Sequence, residues 1–191
     1  MTEIPNPLLR DWDAPFGLPP FEALSDDDFG PALEAAMEEG RANVAAIAGA
    51  SGTPTFENTI AALERADRTL DRVAGVFYNL VSADSNPARE ALQREMAPKL
   101  SAYSSEITMN AALFARIEDL WTRRDALDLT DEQARVLMLT RRGFVRAGAA
   151  LTGAEADRLR DVKARLAVLG TQFTQNLLAD ERSWSMPLTD E

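Results

Sequence analysis

Apolar residues recur every three or four positions along most of the chain, the spacing that places them on one face of an α-helix. The first run begins near residue 25 and stops at Gly49 and Gly52. Five more runs follow it, and before residue 180 we find no stretch typical of a sheet. The pattern predicts an all-α fold, an antiparallel multi-helix array of about six helices with short connections.

Residues that favour helix N-termini stand at the start of each predicted helix. The predicted starts are Ser25, Thr55, Asn86, Asn110, Thr130 and Thr152. Two of them have the spacing of capping boxes, Thr130 with Gln133 and Thr152 with Glu155. Pro98 falls inside the helix after Asn86, and we expect it to kink or shorten that helix because proline cannot donate a backbone hydrogen bond.

Two of the helices carry long apolar stripes. In the helix after Thr55, two rows of residues one heptad apart predict packing against partner helices. The rows are Leu63, Leu70 and Phe77, and Ala66, Val73 and Leu80. In the last helix, one stripe is spaced by three or four residues and is predicted to face the core. Its members are Leu159, Val162, Leu166, Leu169, Phe173 and Leu177.

Both ends of the chain depart from the helical pattern. Residues 1–24 hold five prolines, which disfavour helix, together with apolar residues such as Trp12 and Phe16. We expect an extended lead-in that packs on the helical domain, which we assign to residues 25–182. Residues 183–191 alternate between apolar and polar side chains, as strands do, but nothing after them can pair. We therefore predict a truncated strand that begins a connection to a missing second domain.

The composition narrows the possible functions. The chain has 20 Lys and Arg residues against 31 Asp and Glu residues, a formal net charge of −11. So acidic a chain repels nucleic acid and anionic membrane surfaces, so neither is an expected partner. The chain has no cysteine and no histidine. The absence of both residue types excludes disulfides, thiol nucleophiles, Ser-His-Asp triads and H-E-x-x-H zinc motifs from this chain.

The expected location of the protein is the cytoplasm. A chain without cysteine is compatible with a reducing compartment. The first residues also lack the basic start and the apolar run of a signal peptide.

Several polar groups could carry a site, but each has a structural interpretation that we prefer. Asp26–Asp28 resemble a metal cluster, yet consecutive helical residues point apart, so a helix start fits better. Glu38 and Glu39 fit a solvated face better than an acid–base pair. The pairs Arg123–Arg124 and Arg141–Arg142 lie near helix ends, where salt bridges compete with contact to a peptide carboxylate.

The other candidates are aromatic residues and one short segment. Trp12, Phe16 and Trp184 could mark a ligand groove, but interface or core packing explains them better. The segment Phe56–Ile60 fits helix capping better than substrate contact. We assign no catalytic, cofactor-binding or metal-binding residue in this chain.

Six groups of residues together form a recognisable pattern. No single group is specific by itself, but their order and spacing along the chain are. They are Asn6–Leu9, Leu18–Phe21, Phe56–Ile60 with Ala62–Glu64, Leu113–Arg116, Phe144–Ala149 and Gln172–Ala179. Together they resemble the N-terminal region of the thimet oligopeptidase family of zinc metallopeptidases. The resemblance runs from about residue 6 to about residue 188. The peptidyl-dipeptidase (dipeptidyl carboxypeptidase) branch looks more similar than the oligopeptidase A branch.

The resemblance implies a non-catalytic helical domain that forms one wall of a deep channel and gates the entry of short peptides. A second domain, absent from this chain, would carry the H-E-x-x-H helix, a further glutamate and one zinc ion. No zinc ligand and no general base carry over to this chain. Residues 1–20 and 184–188 are where we expect contact with that catalytic domain.

Two other interpretations stay open. The first is a free-standing helical interaction module, such as an adaptor or a chaperone-like bundle. It requires an exposed apolar groove and a native product no longer than this chain. The second is a structural bundle that assembles through the two heptad rows between residues 63 and 80, and it predicts a stable homo-oligomer.

Overall fold

The computed structural model describes residues 6–186, and these residues form an array of α-helices. The helices are α1 (Phe29–Ala48), α2 (Ala62–Ala66), α3 (Arg68–Ala83), α4 (Pro87–Thr108), α5 (Ala111–Arg123), α6 (Asp131–Ala147) and α7 (Gly153–Ser183). No strand occurs in this part of the chain. The predicted all-α array is therefore confirmed.

The helix predicted to begin after Thr55 is present but interrupted. A π-helical segment, Phe56–Ala61, leads into α2, and Asp67 separates α2 from α3 with φ −106° and ψ 15°. Counted as one interrupted helix, α2 and α3 bring the seven α-helices of residues 6–186 to the six that the sequence predicts.

The core forms around α1, which packs against α2, α3, α4 and α5. Its largest fully buried side chains include Phe29, Leu33, Ile60, Phe77, Met96, Leu113, Ile117, Leu120 and Leu137. Both heptad rows of α2 and α3 lie in this core or pack on it. The interpretation as a homo-oligomer that assembles through those rows is therefore wrong, because the side chains that would join the copies are already buried within one chain.

Most predicted helix starts are confirmed by hydrogen bonds. Thr55 and Thr130 form capping boxes with Asn58 and Gln133, and Asn86 and Asn110 cap α4 and α5. The predicted starts are thus supported by local hydrogen bonding, which satisfies backbone N–H groups that have no partner inside the helix.

One local prediction about the helices is wrong, and a second is wrong in one of its two alternatives. The capping box of Thr152 and Glu155 does not form, because Gly153 between them has φ +55° and leaves the helical region. The helix α4 continues through Pro98 to Thr108 rather than ending near it. Pro98 therefore does not shorten α4, and the kink that we also expect there stays a prediction.

The lead-in is irregular and packs through only part of its length. Three short 3₁₀ helices occur at Pro7–Leu9, Pro15–Gly17 and Phe21–Ala23. Leu8 is buried in the core, and the guanidinium of Arg72 lies 4.8 Å from the centre of the half-buried Trp12 ring. The division of the chain after residues 24 and 182 stays a prediction.

At the other end, the predicted strand is wrong for the residues that the structure describes. The helix α7 continues to Ser183, and Trp184, Ser185 and Met186 belong to neither a helix nor a strand. Within residues 6–186 no second strand is available to hydrogen bond to them, so alternation alone does not produce a strand. Leu188 lies outside the described residues.

A polar cluster links the start of α1 to the start of α4. Arg89 Nε donates to Asp26 Oδ1 at 2.6 Å, and Asn86 Nδ2 donates to Asp26 Oδ2 at 2.7 Å. Burial alone would raise the pKa of Asp26, but the two hydrogen bonds and the charge of Arg89 outweigh it, so that this pKa lies below its ordinary value. Asp28 Oδ2 accepts from the Ser25 backbone N–H at 2.7 Å, so Asp26–Asp28 form a helix start, as predicted.

The depressed pKa of Asp26 makes one contribution to stability depend on pH. A carboxylate with a lowered folded-state pKa stabilises the fold above its ordinary pKa of about 4, and this contribution disappears as the pH falls through the folded-state value. We expect Asp26→Asn to lower the free energy of unfolding by roughly 1 kcal/mol at pH 6.5 and by less near pH 3. Urea titrations at both pH values measure this difference, and an equal gap at both would contradict the assignment.

Candidate interaction surface

The last helix, α7, is attached to α4 by polar contacts along one side. Gln175 Nε2 donates to the Glu90 carbonyl oxygen and to Gln93 Oε1, both at 2.9 Å. Arg94 donates to Gln175 Oε1 at 2.5 Å, and Arg182 lies 2.9 Å from the Glu90 carboxylate. These contacts fix the rotation of α7 about its own axis and so decide which side faces outward.

The inner side of α7 combines small and polar residues with three half-buried large apolar ones, Leu159, Val168 and Leu178. Ala156 is buried, while Ala164, Ala167 and Thr171 are half-buried. Small side chains allow two helices to approach closely, and α7 has its most extensive contacts with α4.

The large apolar stripe of α7 faces away from the core, so the predicted core-facing stripe is wrong. Only Leu159 turns inward, where it packs beside Gly148. The remaining members, Val162, Leu166, Leu169, Phe173 and Leu177, are exposed and are called here the α7 outer face. The Phe173 side chain is 71% exposed and Leu166 is 61% exposed. Helical spacing identified the stripe but could not tell which of two suitable faces would be buried.

From Leu166 onward, the sequence around the α7 outer face contains no charge, whereas Asp161, Lys163 and Arg165 lie beside Val162. Residues 166–179 include no Asp, Glu, Lys or Arg, although 27% of the whole chain is charged. Exposed positions beside the stripe are instead held by Gln172, Thr174 and Asn176. An exposed apolar helix face whose charges lie only at its two ends is unusual for a solvated surface and typical of an interface, where the buried centre is apolar and the rim is polar.

Other exposed apolar residues lie near the two ends of the described chain. Phe16, Leu18 and Phe21 are exposed in the lead-in, and Trp184 and Met186 are exposed after α7. Three aromatic residues were candidates for a ligand groove. Trp12 packs on the core, while Phe16 and Trp184 face solvent. Both ends therefore add apolar surface that α1–α6 do not cover.

The arginine pairs act mainly within the chain. Arg123 bonds to Asp119 and donates to the Pro54 carbonyl oxygen at 2.9 Å, while Arg141 Nε donates to Glu118 at 2.6 Å. Arg124 and Arg141 also lie 4.4 Å and 5.2 Å from the centre of the Trp121 ring. For Arg123, Arg124 and Arg141 the salt-bridge or packing interpretation therefore applies.

A buried arginine that sequence reasoning missed holds the loop before α2. Arg116 Nη1 donates to the carbonyl oxygens of Ala50 and Gly52, at 2.8 and 3.2 Å. Its Nη2 donates to Asn58 Oδ1 at 3.0 Å and to Thr59 Oγ1 at 3.2 Å. The signal was present, since Arg116 falls three residues after Leu113 and therefore on the apolar side of α5. These bonds, together with the Thr55 cap, place Phe56–Ile60 in a structural role.

The acidic residues of residues 6–186 do not gather into a metal site. No three of them are close enough to hold an ion together. Glu38 is exposed beside Arg41, and Glu39 accepts a hydrogen bond from Thr69 at 3.1 Å. Within the same range, no helix is long and apolar enough to cross a membrane.

Comparison with known proteins finds relatives among peptidases. The chain is 34% identical to dipeptidyl carboxypeptidase of Escherichia coli over 185 residues, which are 97% of this chain and 27% of that protein. It is 28% identical to oligopeptidase A of Escherichia coli over 186 residues, again 27% of that protein. A thimet-like oligopeptidase of Dictyostelium discoideum is 23% identical over 70% of this chain. No family model matches the chain.

The matches are confined to one end of these relatives. The chain spans about a quarter of the length of the relatives it matches, and the matched part is their first 27%. The resemblance predicted from the sequence is thereby confirmed, including the greater similarity to dipeptidyl carboxypeptidase than to oligopeptidase A.

Proposed function

We propose, on the premise that this chain is a relative of the N-terminal region of dipeptidyl carboxypeptidase and oligopeptidase A, that it serves as the non-catalytic N-terminal domain of a peptidase. The longer protein would be a zinc metallopeptidase that hydrolyses short peptides, in the manner of a peptidyl-dipeptidase. The observation that carries this proposal is 34% identity over 97% of the chain, confined to the first 27% of the relative.

The residues of this chain do not fit a zinc site. The whole chain has no histidine and no cysteine, and the carboxylates of residues 6–186 do not converge. Zinc in peptidases is held by histidine and carboxylate ligands, which hold and activate a water molecule. We therefore place the zinc ion, and the reaction itself, in a part of the longer protein outside this chain.

This domain would contribute to the shape of a substrate channel rather than to the chemistry of the reaction. A well-packed helical array with α1 at its centre could form the wall of a channel that admits short peptides and excludes folded proteins. Movement of such a wall relative to a catalytic domain would admit substrate and release product. Short peptides and the catalytic domain are thus the proposed partners, and the cytoplasm remains the predicted location.

The proposal predicts that chain 1–191 alone has no peptidase activity. We expect the cleavage rate of a fluorogenic short peptide to equal the blank, both without added zinc and with it, because the chain has no ligand set for the ion. An established zinc peptidase in the same buffer serves as the positive control. Cleavage that requires zinc and is abolished by a chelator would contradict the assignment of catalysis to another domain.

One observation favours a second candidate function, a free-standing interaction module. The exposed α7 outer face supplies the apolar surface that such a module needs. The two functions differ in the size of the native product, which for a free-standing module equals this chain.

A further inference from the structure

We infer that the α7 outer face is a docking surface for the same polypeptide, occupied by an apolar segment that follows residue 191 in a longer protein. This inference rests on the proposed function, because it requires the longer protein. It goes beyond the proposal by naming which surface of the domain is covered and what covers it.

Exposure and composition together identify the surface. Five large apolar side chains at positions 162–177 lie on one side of α7, and Phe173 and Leu166 keep most of their surface in solvent. Residues 166–179 carry no charge. Charged residues are depleted at the centres of protein interfaces, whereas lipid-surface and nucleic-acid sites carry basic residues. The chemistry of this surface therefore fits an apolar protein segment.

The orientation of α7 is decided before any partner binds. The contacts of Gln175 and Arg182 with α4 hold the inner side of α7 against the domain. Turning α7 so that its large apolar stripe faced inward would break these bonds and would expose Leu159, Val168 and Leu178, which are half-buried. The stripe can be covered only by something added from outside α1–α6.

The position of α7 in the chain favours a segment of the same polypeptide. This helix is the last one described, and Trp184 and Met186 after it are also exposed. In the relatives, most of the sequence follows the matched part. A segment attached next to its docking surface binds at an effective concentration near millimolar, so a modest apolar surface suffices.

Electrostatics disfavour a second copy of the chain as the occupant. Each copy carries a formal charge of −11, so pairing two copies would bring two strongly acidic domains together. A different segment of the same protein need not share that charge.

Thiol labelling tests this inference directly, because the chain has no cysteine of its own. Phe173→Cys and Leu166→Cys introduce thiols on the α7 outer face, and Ala134→Cys introduces one at an exposed position of α6 as the matched control. Each variant is prepared in chain 1–191 and in the full native product. Rates of reaction with N-ethylmaleimide are followed by mass spectrometry of the labelled peptide, which separates this thiol from any other.

We expect residues 166 and 173 to react about tenfold or more slowly in the longer protein than in chain 1–191, with little change at residue 134. Equal rates in both proteins, or equal slowing at residue 134, would overturn the inference and leave the proposed function intact. Slow labelling in a dimeric chain 1–191, with the dimer shown by light scattering, would assign the surface to a second copy and would also overturn it. A native product of only 20.9 kDa would instead overturn the proposed function and remove the basis of this inference.

Discussion

Arg116→Met is expected to lower the free energy of unfolding by roughly 3 kcal/mol. The Arg116 guanidinium is buried and donates to the carbonyl oxygens of Ala50 and Gly52 and to the side chains of Asn58 and Thr59. Methionine has a similar length but no donor, so the carbonyl oxygens of Ala50 and Gly52 and the Thr59 hydroxyl lose this donor, whereas Asn58 Oδ1 still accepts from Thr55 N and Thr59 Oγ1. A buried polar group that loses its hydrogen-bond partner costs about 1–3 kcal/mol. Water can reach some of these acceptors, which reduces the total.

The matched control for Arg116 is an exposed arginine. Arg160 pairs with Asp157 on the surface of α7, and Arg160→Met should change the free energy of unfolding by less than about 0.5 kcal/mol. Urea denaturation of chain 1–191, followed by circular dichroism at the helical band, measures both variants. Equal stabilities for the two variants would show that the Arg116 contacts do not hold the loop before α2.

Gly40→Ala should lower the free energy of unfolding by about 2 kcal/mol, although alanine favours helices. A methyl group at Gly40 in α1 would overlap the Tyr103 hydroxyl and lie 2.5 Å from Asp67 Oδ1. It would separate the Tyr103 hydroxyl from Asp67, the residue at the break between α2 and α3, and so remove this hydrogen bond. Overpacking costs about 1–3 kcal/mol and loss of a hydrogen bond to a charged group about 1.5–3 kcal/mol, against a gain of about 1 kcal/mol in helix propensity.

Gly75→Ala is the control that isolates helix propensity. Gly75 lies in α3, and a methyl group there would meet no atom within 4 Å. The variant should therefore be more stable than the native chain by about 0.5–1 kcal/mol. Opposite signs for the two glycine substitutions support the close approach of α1 to Tyr103, whereas stabilisation by both would show that α1 and Tyr103 are further apart.

Burial and the hydrogen bond to Asp67 together affect the pKa of Tyr103. Burial, with the hydrogen bond to the Asp67 carboxylate next, raises the pKa of Tyr103 above its ordinary value. The raised pKa keeps the phenol protonated, and donating to Asp67, to a higher pH than an exposed tyrosine would reach. The residue serves the fold rather than any proton transfer.

Most of the fold could be predicted from the sequence because its signals are local. Thr55, Asn86 and Thr130 bond to backbone groups within three residues, so their patterns specify helix starts without knowledge of the rest of the chain. The two heptad rows lie on one side of α2 and α3, so the sequence indicated clearly which side of these helices is buried. Gly153 shows the limit, because its left-handed φ depends on the turn between α6 and α7 and undoes an otherwise suitable capping box.

The surface of α7 could be predicted only in part. Spacing identified a stripe from Leu159 to Leu177, but α7 also offers a second face, which includes Ala164, Val168 and Leu178. The choice between the two faces depends on α4, whose Glu90 and Gln93 lie more than eighty residues before their partner Gln175. Long-range polar contacts of this kind leave no periodic signal in either helix.

The size of the native protein tests the central claim most directly. An antibody raised against chain 1–191 detects the product in its source cells, and denaturing electrophoresis gives its mass. If this chain is the N-terminal domain of a peptidase, the band should be several times heavier than 20.9 kDa, since the chain matches only the first 27% of its relatives. A single band at 20.9 kDa would contradict that claim and would favour a free-standing interaction module.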